Sequence, residues 1–494
     1  MGGGRARHWR GGAALAAART LAIALALVLA ACAVGPDYHR PSADIAAAWT
    51  TEQPWRAGRP ADTAEQGNWW ETFGDARLNA LEADVIAHNQ SLQVAAERLT
   101  QARALANVAS AAFFPTITGN AGVLRERSSA NRPLANYALP NKSTAQTDHS
   151  AGFGVQYEVD LFGHVRRQVE AARADAAQAK SDLANARLVL TAEMASDYFT
   201  LCAVDAEIDV VRQNIVAQRR ALDFVSSRHD MGVASGLDLA QQQSQLDTTI
   251  TQIDLLRVLR AQLEHALATL SGAPAPTFAM APQIVTLNVP AIPIGLPSDL
   301  LERRPDVASA ERGMAAANAR IGVAKAAFFP SVPLVGAYGF DSNSISTLFN
   351  AASNLWSFGV LATQPIFDAG RISANVDFAQ AGYRTTVAQY RQAVLTALQE
   401  VEDGVTGLES LERASAEAGA AVASAQRVVD LANDRYTGGL ANYLDVVSAQ
   451  QALLANERQQ VQIRGQQMRA AVFLVKALGG GWQNQLQPVA TAAP

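Results

Sequence analysis

The stretch SAAFFPTI (Ser110–Ile117) returns later in the same chain as KAAFFPSV (Lys325–Val332). Each copy reads as the end of a helix: small residues, two aromatics, then Pro115 or Pro330, which cannot continue a helix. Past each proline the hydrophobic period changes to two. In Gly152–Phe162, Phe153, Val155, Tyr157, Val159 and Leu161 alternate with Gly154, Gln156, Glu158 and Asp160, the pattern of a strand with one apolar and one polar face. A helix stop followed by strands, written twice, suggests a duplicated unit.

A second pair of phrases tests that reading. RHDMGVASGLD (Arg228–Asp238) and RYTGGLANYLD (Arg435–Asp445) interrupt long helical patterns. Arg228, Gly232, Leu237, Asp238, Gln243 and Leu246 face Arg435, Gly439, Leu444, Asp445, Gln450 and Leu453 at a constant offset of 207 residues. LFGHVR (Leu161–Arg166) likewise faces IFDAGR (Ile366–Arg371). Two Ala-rich helices do not hold such a register across turns by chance. The repeated unit is helix, two strands, long helix, turn, helix.

Laid along the chain, the first repeat spans 75–270, with strands at about 115–126 and 151–162 and a long polar loop, about 128–150, between them. Its long helix runs from His164 to about His229, roughly 100 Å at the usual rise. A proline-rich connector, 271–300, includes a short strand in QIVTLNV. The second repeat covers 301–478, with strands at about 331–341 and 355–367, and 479–494 is a C-terminal tail. Strands of about ten residues are long enough to cross a bilayer when tilted.

The N-terminus reads as an export signal over residues 1–31. Arg5, Arg7, Arg10 and Arg19 precede the apolar run Leu21–Ala30, and LAAC (Leu29–Cys32) has the form of a bacterial lipobox. Cys32 is therefore expected to carry N-acyl and S-diacylglycerol chains, palmitate among them, and to begin a lipidated arm, 32–74. That arm is rich in Pro and Gly and reads as extended, with little structure of its own. No later segment is a run of eighteen or more apolar residues, so a helical membrane protein is not expected. A net charge of −5 leaves no basic footprint for nucleic acid. Four strands are too few to close a barrel, which needs about eight. If they cross a membrane, several subunits must share one barrel, and three copies supply twelve strands.

The chain resembles the outer-membrane factors of the TolC/OprM (NodT-like) type, exit ducts of tripartite efflux pumps. The resemblance is carried by LAACAVGPDYHRP (Leu29–Pro41), WWETFGDARLNAL (Trp69–Leu81), both AAFFP phrases, LERRPDVASAE (Leu301–Glu311) and RYTGGLANYLDVVSAQ (Arg435–Gln450). It implies an α+β membrane protein: a homotrimer with a shared twelve-stranded transmembrane β-barrel, a long periplasmic α-helical barrel and a mixed equatorial belt. It implies a lipid-anchored outer-membrane location, a periplasmic adaptor (membrane fusion) protein and an RND- or MFS-type inner-membrane pump as partners. The cargo implied is small toxic compounds such as drugs.

The helix breaks are the informative places. By resemblance they close the duct and meet the adaptor, with Asp238, Asp445 and Tyr436 as the gate. Met231, Gly232, Val233, Gly438, Gly439 and Leu440 are candidates for adaptor contact. Read without the resemblance, each aspartate caps a helix N-terminus and each glycine serves turn geometry. Ala441 and Ser448 stand where some relatives carry a gate arginine and a second aspartate, which points to a different closing network drawing on Tyr443 or Arg228. Phe153, Tyr157, Tyr338, Phe340, Trp356 and Phe358 face lipid or, alternatively, a packed β-core. No catalytic motif is present, the seven histidines show no metal-ligand spacing, and Cys202 reads as a packed thiol. Two other readings stay open: a type I protein-secretion duct, and a lipid-anchored periplasmic coiled-coil scaffold.

Overall fold

The computed structural model describes residues 34–40, 67–131, 143–284, 289–290, 292 and 304–480. Cys32, the signal 1–31, part of the connector and residues 481–494 of the tail lie outside the described residues. In chain order the elements are α1 (Ala76–His88), α2 (Gln90–Ala111), β1 (Thr116–Ser128), β2 (Thr144–Glu158), α3 (His164–Asp230) and α4 (Gly236–Leu270). The second copy follows as α5 (Pro305–Ala326), β3 (Pro333–Ser342), β4 (Asn354–Val360), α6 (Arg371–Thr437) and α7 (Tyr443–Ala477). The duplication is legible in the lengths. Helices of 22, 67 and 35 residues occur in that order in both copies.

Two compact units share these elements. One draws on residues 1–41, 100–178 and 311–389, the other on 42–99, 179–310 and 390–494. The first contains all four strands, paired antiparallel in the order β1-β2-β3-β4. Phe153 lies opposite Tyr338, and Tyr338 opposite Trp356. Residues directly opposite share a face, so these aromatics form one row with Tyr157, Phe340 and Phe358 on the same side. Phe153, Tyr338, Trp356 and Phe358 are exposed, while Tyr157 and Phe340 are half-buried. Thr116, Thr118, Asn120, Gln156, Gly154 and Ser150 lie on the other face. Among the described residues no packed β-core covers the aromatic side, since four of its six aromatics are exposed.

Both hairpins depart from the sequence expectation at their ends. β2 begins at Thr144, inside the expected loop, because Thr144–Ser150 pair with Gly122–Ser128. It stops at Glu158 rather than 162, because Asp160 turns back to cap α3, accepting from the backbone N–H of Val165 and Arg166. β4 ends at Val360, not 367. Beyond it Leu361 still donates to the Pro333 carbonyl and Thr363 pairs with Ser331 in an isolated bridge, before Pro365 removes a donor and Asp368 caps α6 through Gly370 and Ile372. The two long helices start 207 residues apart, so LFGHVR and IFDAGR are two residues out of step with them.

The arm also differs from its expectation. Residues 34–38 are pinned to the first unit. The Val34 N–H donates to the Phe162 carbonyl at 3.1 Å, and the Asn318 side chain donates to the Pro36 carbonyl at 2.9 Å. Arg167, nearly buried, pairs with Asp37 at 2.8 Å, and the Tyr38 hydroxyl donates to Glu311. Gly35 has φ +119°, and a Cβ there would stand 2.6 Å from the Gly322 Cα, so two glycines are needed for the chain to lie this close to α5.

In the second unit, the Trp69–Leu81 phrase is explained by packing. Trp69 and Trp70 are buried with Leu78, Val85, Met194, Tyr198, Phe199 and Val472. Asp75 caps α1 through the N–H groups of Arg77 and Leu78 and accepts the Tyr198 hydroxyl at 2.6 Å. Arg304, from the LERRPD phrase, is buried and spans Asp306, Glu400 and the Ala477 carbonyl that ends α7. Cys202 is buried in this core, and burial pushes its thiol pKa up to about 12, so it stays protonated and inert.

Glu82 is fully buried on α1, and neither carboxylate oxygen has a hydrogen-bond partner. Desolvation pushes its pKa up to about 9, with Arg187 pulling weakly the other way. An acid whose folded pKa is raised stabilises fully below its unfolded value near 4.5, and that stability is lost as pH rises toward 9. Thermal unfolding of the detergent-solubilised protein at pH 5 and pH 8.5 is expected to show a lower midpoint at the higher pH. Glu82→Gln should narrow that difference by on the order of 1–3 kcal/mol. An unchanged pH dependence in the variant would remove Glu82 as its source.

Candidate functional site

The two helix breaks fold alike and pack together. In the first, Gly232 has φ +73°, and the N–H groups of Gly232 and Val233 return to the His229 and Arg228 carbonyls. In the second, Gly439 has φ +72°, and the N–H groups of Gly439 and Leu440 return to Tyr436 and Arg435. Both are Schellman endings, which require a left-handed residue after the helix. Around them, Val225, Ala234, Tyr436, Tyr443, Val446 and Val447 form one buried cluster drawn from α3, α6, α7 and the first turn.

Tyr436 is the centre of that cluster. Its ring meets Tyr443 edge-on at 4.8 Å between centroids, and the Arg228 guanidinium lies over it at 5.3 Å. Cation–π attraction of this kind contributes roughly 0.5–2 kcal/mol, more as the charge is desolvated. Arg228 also lies over Phe224, and its Nε is buried with no hydrogen-bond partner. Burial, followed by the negative charge of the nearby Asp238 carboxylate, holds the Tyr436 hydroxyl above the ordinary tyrosine range. Tyr443 is tied in a second way. Its hydroxyl donates to Gln242 Oε1 at 2.7 Å, and the Gln242 amide donates to the Gln218 carbonyl. Burial holds Tyr443 well above the usual range as well, so both hydroxyls keep their protons.

The two aspartates are not equivalent: both lie in the first turn of a return helix, but only Asp238 is part of a capping box. Asp238 completes a capping box: it accepts from the Ser235 N–H while its own N–H donates to Ser235 Oγ, both at 3.2 Å. Its carboxylate faces Tyr436 as well. Asp445 is exposed, and Asn442 at the corresponding cap makes no side-chain bond. The cause is a substitution between the copies, with Asn442 where the first copy has Ser235.

Outside the cluster the turns are apolar and open. Met231 (69%), Val233 (61%) and Leu440 (74%) are largely exposed, with Leu237 and Leu444 beside them. A polar seam then continues along α4 and α7. Gln451 donates to Gln245, Arg458 pairs with Glu207 and reaches Gln252, and Asn214 donates to Glu457. The sequence reading missed this seam. Its only signal in the sequence is glutamine recurring on both return helices. Among the described residues no group of three or more His, Cys, Asp or Glu could hold a metal ion, and no helix is long and apolar enough to cross a membrane.

A Cβ added at Gly232 or Gly439 meets nothing within 4 Å, so replacing either glycine costs only backbone strain. Gly232→Ala and Gly439→Ala are each expected to destabilise by about 1–2 kcal/mol, read as a lowered thermal midpoint. A neutral effect at both would mean the left-handed turns are not kept.

The sequence model of the outer membrane efflux protein family matches residues 82–273 and 296–480. The toluene efflux pump outer membrane protein TtgF of Pseudomonas putida is 33% identical over 470 residues, covering 94% of this chain and 97% of that protein. Among solved structures, the outer-membrane channel OprN superposes with a TM-score of 0.83 at 29% identity, covering 92% of this chain and all of the other. The open state of the MtrE outer-membrane channel of Neisseria gonorrhoeae gives 0.79 at 26% identity, covering 91% and 98%.

Proposed function

This chain belongs to the outer membrane efflux protein family, and from that premise we propose that it is a passive exit channel of a tripartite pump. Three copies close one twelve-stranded barrel in the outer membrane, and their helices line a periplasmic duct. The observation that carries the trimer is the open sheet: β1 and β4 are paired on one side only. In hydrocarbon every unpaired backbone group costs several kcal/mol, so each edge needs a neighbour's strand. Cys32 carries the acyl anchor, two residues before the segment 34–38 that is pinned at Phe162, Asn318 and Arg167. An adaptor and an inner-membrane pump supply the cargo. The toluene pump named for TtgF supports small organic molecules as its class.

The duct does no covalent chemistry. Its function is opening and closing, and the Tyr436 cluster is the closing device. Arg228 covers the Tyr436 ring and Tyr443 donates to Gln242, so α6 and α7 of one repeat are tied to the turn and return helix of the other. Opening requires that these contacts be exchanged for water, at an aggregate cost of a few kcal/mol. The exposed Met231, Val233, Gly438, Leu440 crown is the surface that the adaptor meets. Its apolar side chains are uncovered, and adaptor binding there would offset that opening cost. In the trimer Asp445 supplies three exposed carboxylates, which favour cations in the narrowed lumen.

Planar-bilayer conductance tests the gate. Tyr436→Phe and Asp238→Ala should enlarge the small resting current severalfold, whereas Asp445→Ala should lower cation preference with little change in size. Equal currents in all three would leave a channel without this gate. Mass spectrometry of the mature N-terminal peptide tests the anchor: a diacylglyceryl and N-acyl mass on Cys32, absent in Cys32→Ser, is the expected result.

A further inference from the structure

The outer end of the sheet carries its charges on opposite faces. Along β1 the aromatic side reads Ile117, Gly119, Ala121, Val123, and then Arg125 and Arg127. Across from them on β2 the same side carries His149, Thr147 and Ala145. Glu126, Asp148 and Asp341 lie at the same height on the other face. Both arginines are exposed, and neither forms an ion pair with a described residue; Arg127 Nε donates only to Ser143. An anion approaching from the aromatic side therefore meets guanidinium groups, and the carboxylates point away from it.

Below the arginines the aromatic side is not flat. A cavity of 360 Å³ is lined by Gly119, Ala121 and Ala151, where side chains are small, and by Phe153, Phe340 and Phe349, where they are large. Phe349 is drawn in by the short 3₁₀ segments between β3 and β4 and packs edge-on against Phe340 at 5.4 Å. From Ala121 to Arg125 is about 13 Å of strand. An apolar notch thus lies one strand segment inward of a paired basic site.

We propose that this surface binds a phosphate-bearing, acylated lipid of the outer leaflet: an acyl chain fills the notch, and Arg125 and Arg127 hold the phosphate. The inference rests on the outer-membrane reading, in which the aromatic side faces hydrocarbon and the strand ends away from the helices face outward. Charge complementarity selects the occupant. A neutral lipid would leave both guanidinium groups unpaired at the edge of the hydrocarbon, and an anionic one pairs them bidentately. The acidic residues of the opposite face exclude the same lipid from the lumen side.

The test uses the full-length acylated protein in detergent, incubated with bisphosphorylated lipid A or with its dephosphorylated form, and read by native mass spectrometry. The wild type should retain the phosphorylated lipid at least tenfold better. Arg125→Gln/Arg127→Gln should lose that preference while its conductance in bilayers stays unchanged. Gly119→Val, which narrows the notch, should weaken retention of both lipids. Inorganic phosphate at millimolar concentration should not displace the lipid; displacement would mean that the arginines form a free-phosphate site only. Equal retention of the two lipids by the wild type, or an unchanged preference in the double variant, would overturn the proposal. Loss of conductance in the wild type would instead indict the channel reading.

Discussion

The structure depends on one constraint: the backbone of a four-stranded sheet with two open edges must find partners. In water those edges could be solvated. In hydrocarbon they cannot, and among the described residues the sheet has no further strand to offer. Everything specific about the strands follows. They alternate because one face meets apolar surroundings and the other water, and their aromatics line up across the register on one side. The outer ends turn polar and charged where the apolar face ends.

The duplication solves a second problem at the helix turns. Two copies of one turn, each ended by a glycine in the left-handed region, can pack as near-equivalents, and the shared cluster uses side chains from both. Equivalence is then broken by a few substitutions. Ser235 gives the first return helix a capping box and directs Asp238 toward Tyr436, whereas Asn442 leaves Asp445 exposed. Tyr443 in the second copy takes the position of Gly236 in the first, and it supplies the hydroxyl that binds Gln242.

The polar interior is handled in two opposite ways. Arg304 is buried but fully answered, by two carboxylates and the carbonyl end of α7, and so it locks the end of that helix. Glu82 is buried and unanswered, and it remains in the core by staying protonated.

Much was legible in the residues alone. The repeat, the two long helices, the alternation of β2 and β4, and the two turn glycines all follow from local rules: proline stops, period, and the left-handed ending of a helix. The resemblance carried by the AAFFP, LERRPDV and RYTGGLANYLD phrases was enough for the family. Packing decided the rest. That Gly35 lies against Gly322, that Arg228 covers Tyr436, and that Tyr443 reaches Gln242 are facts about residues far apart in the chain. Local sequence encodes which side chains are available and how the backbone turns. Which of them touch is set by how helices from two repeats fit against one another, and no window of sequence contains both partners.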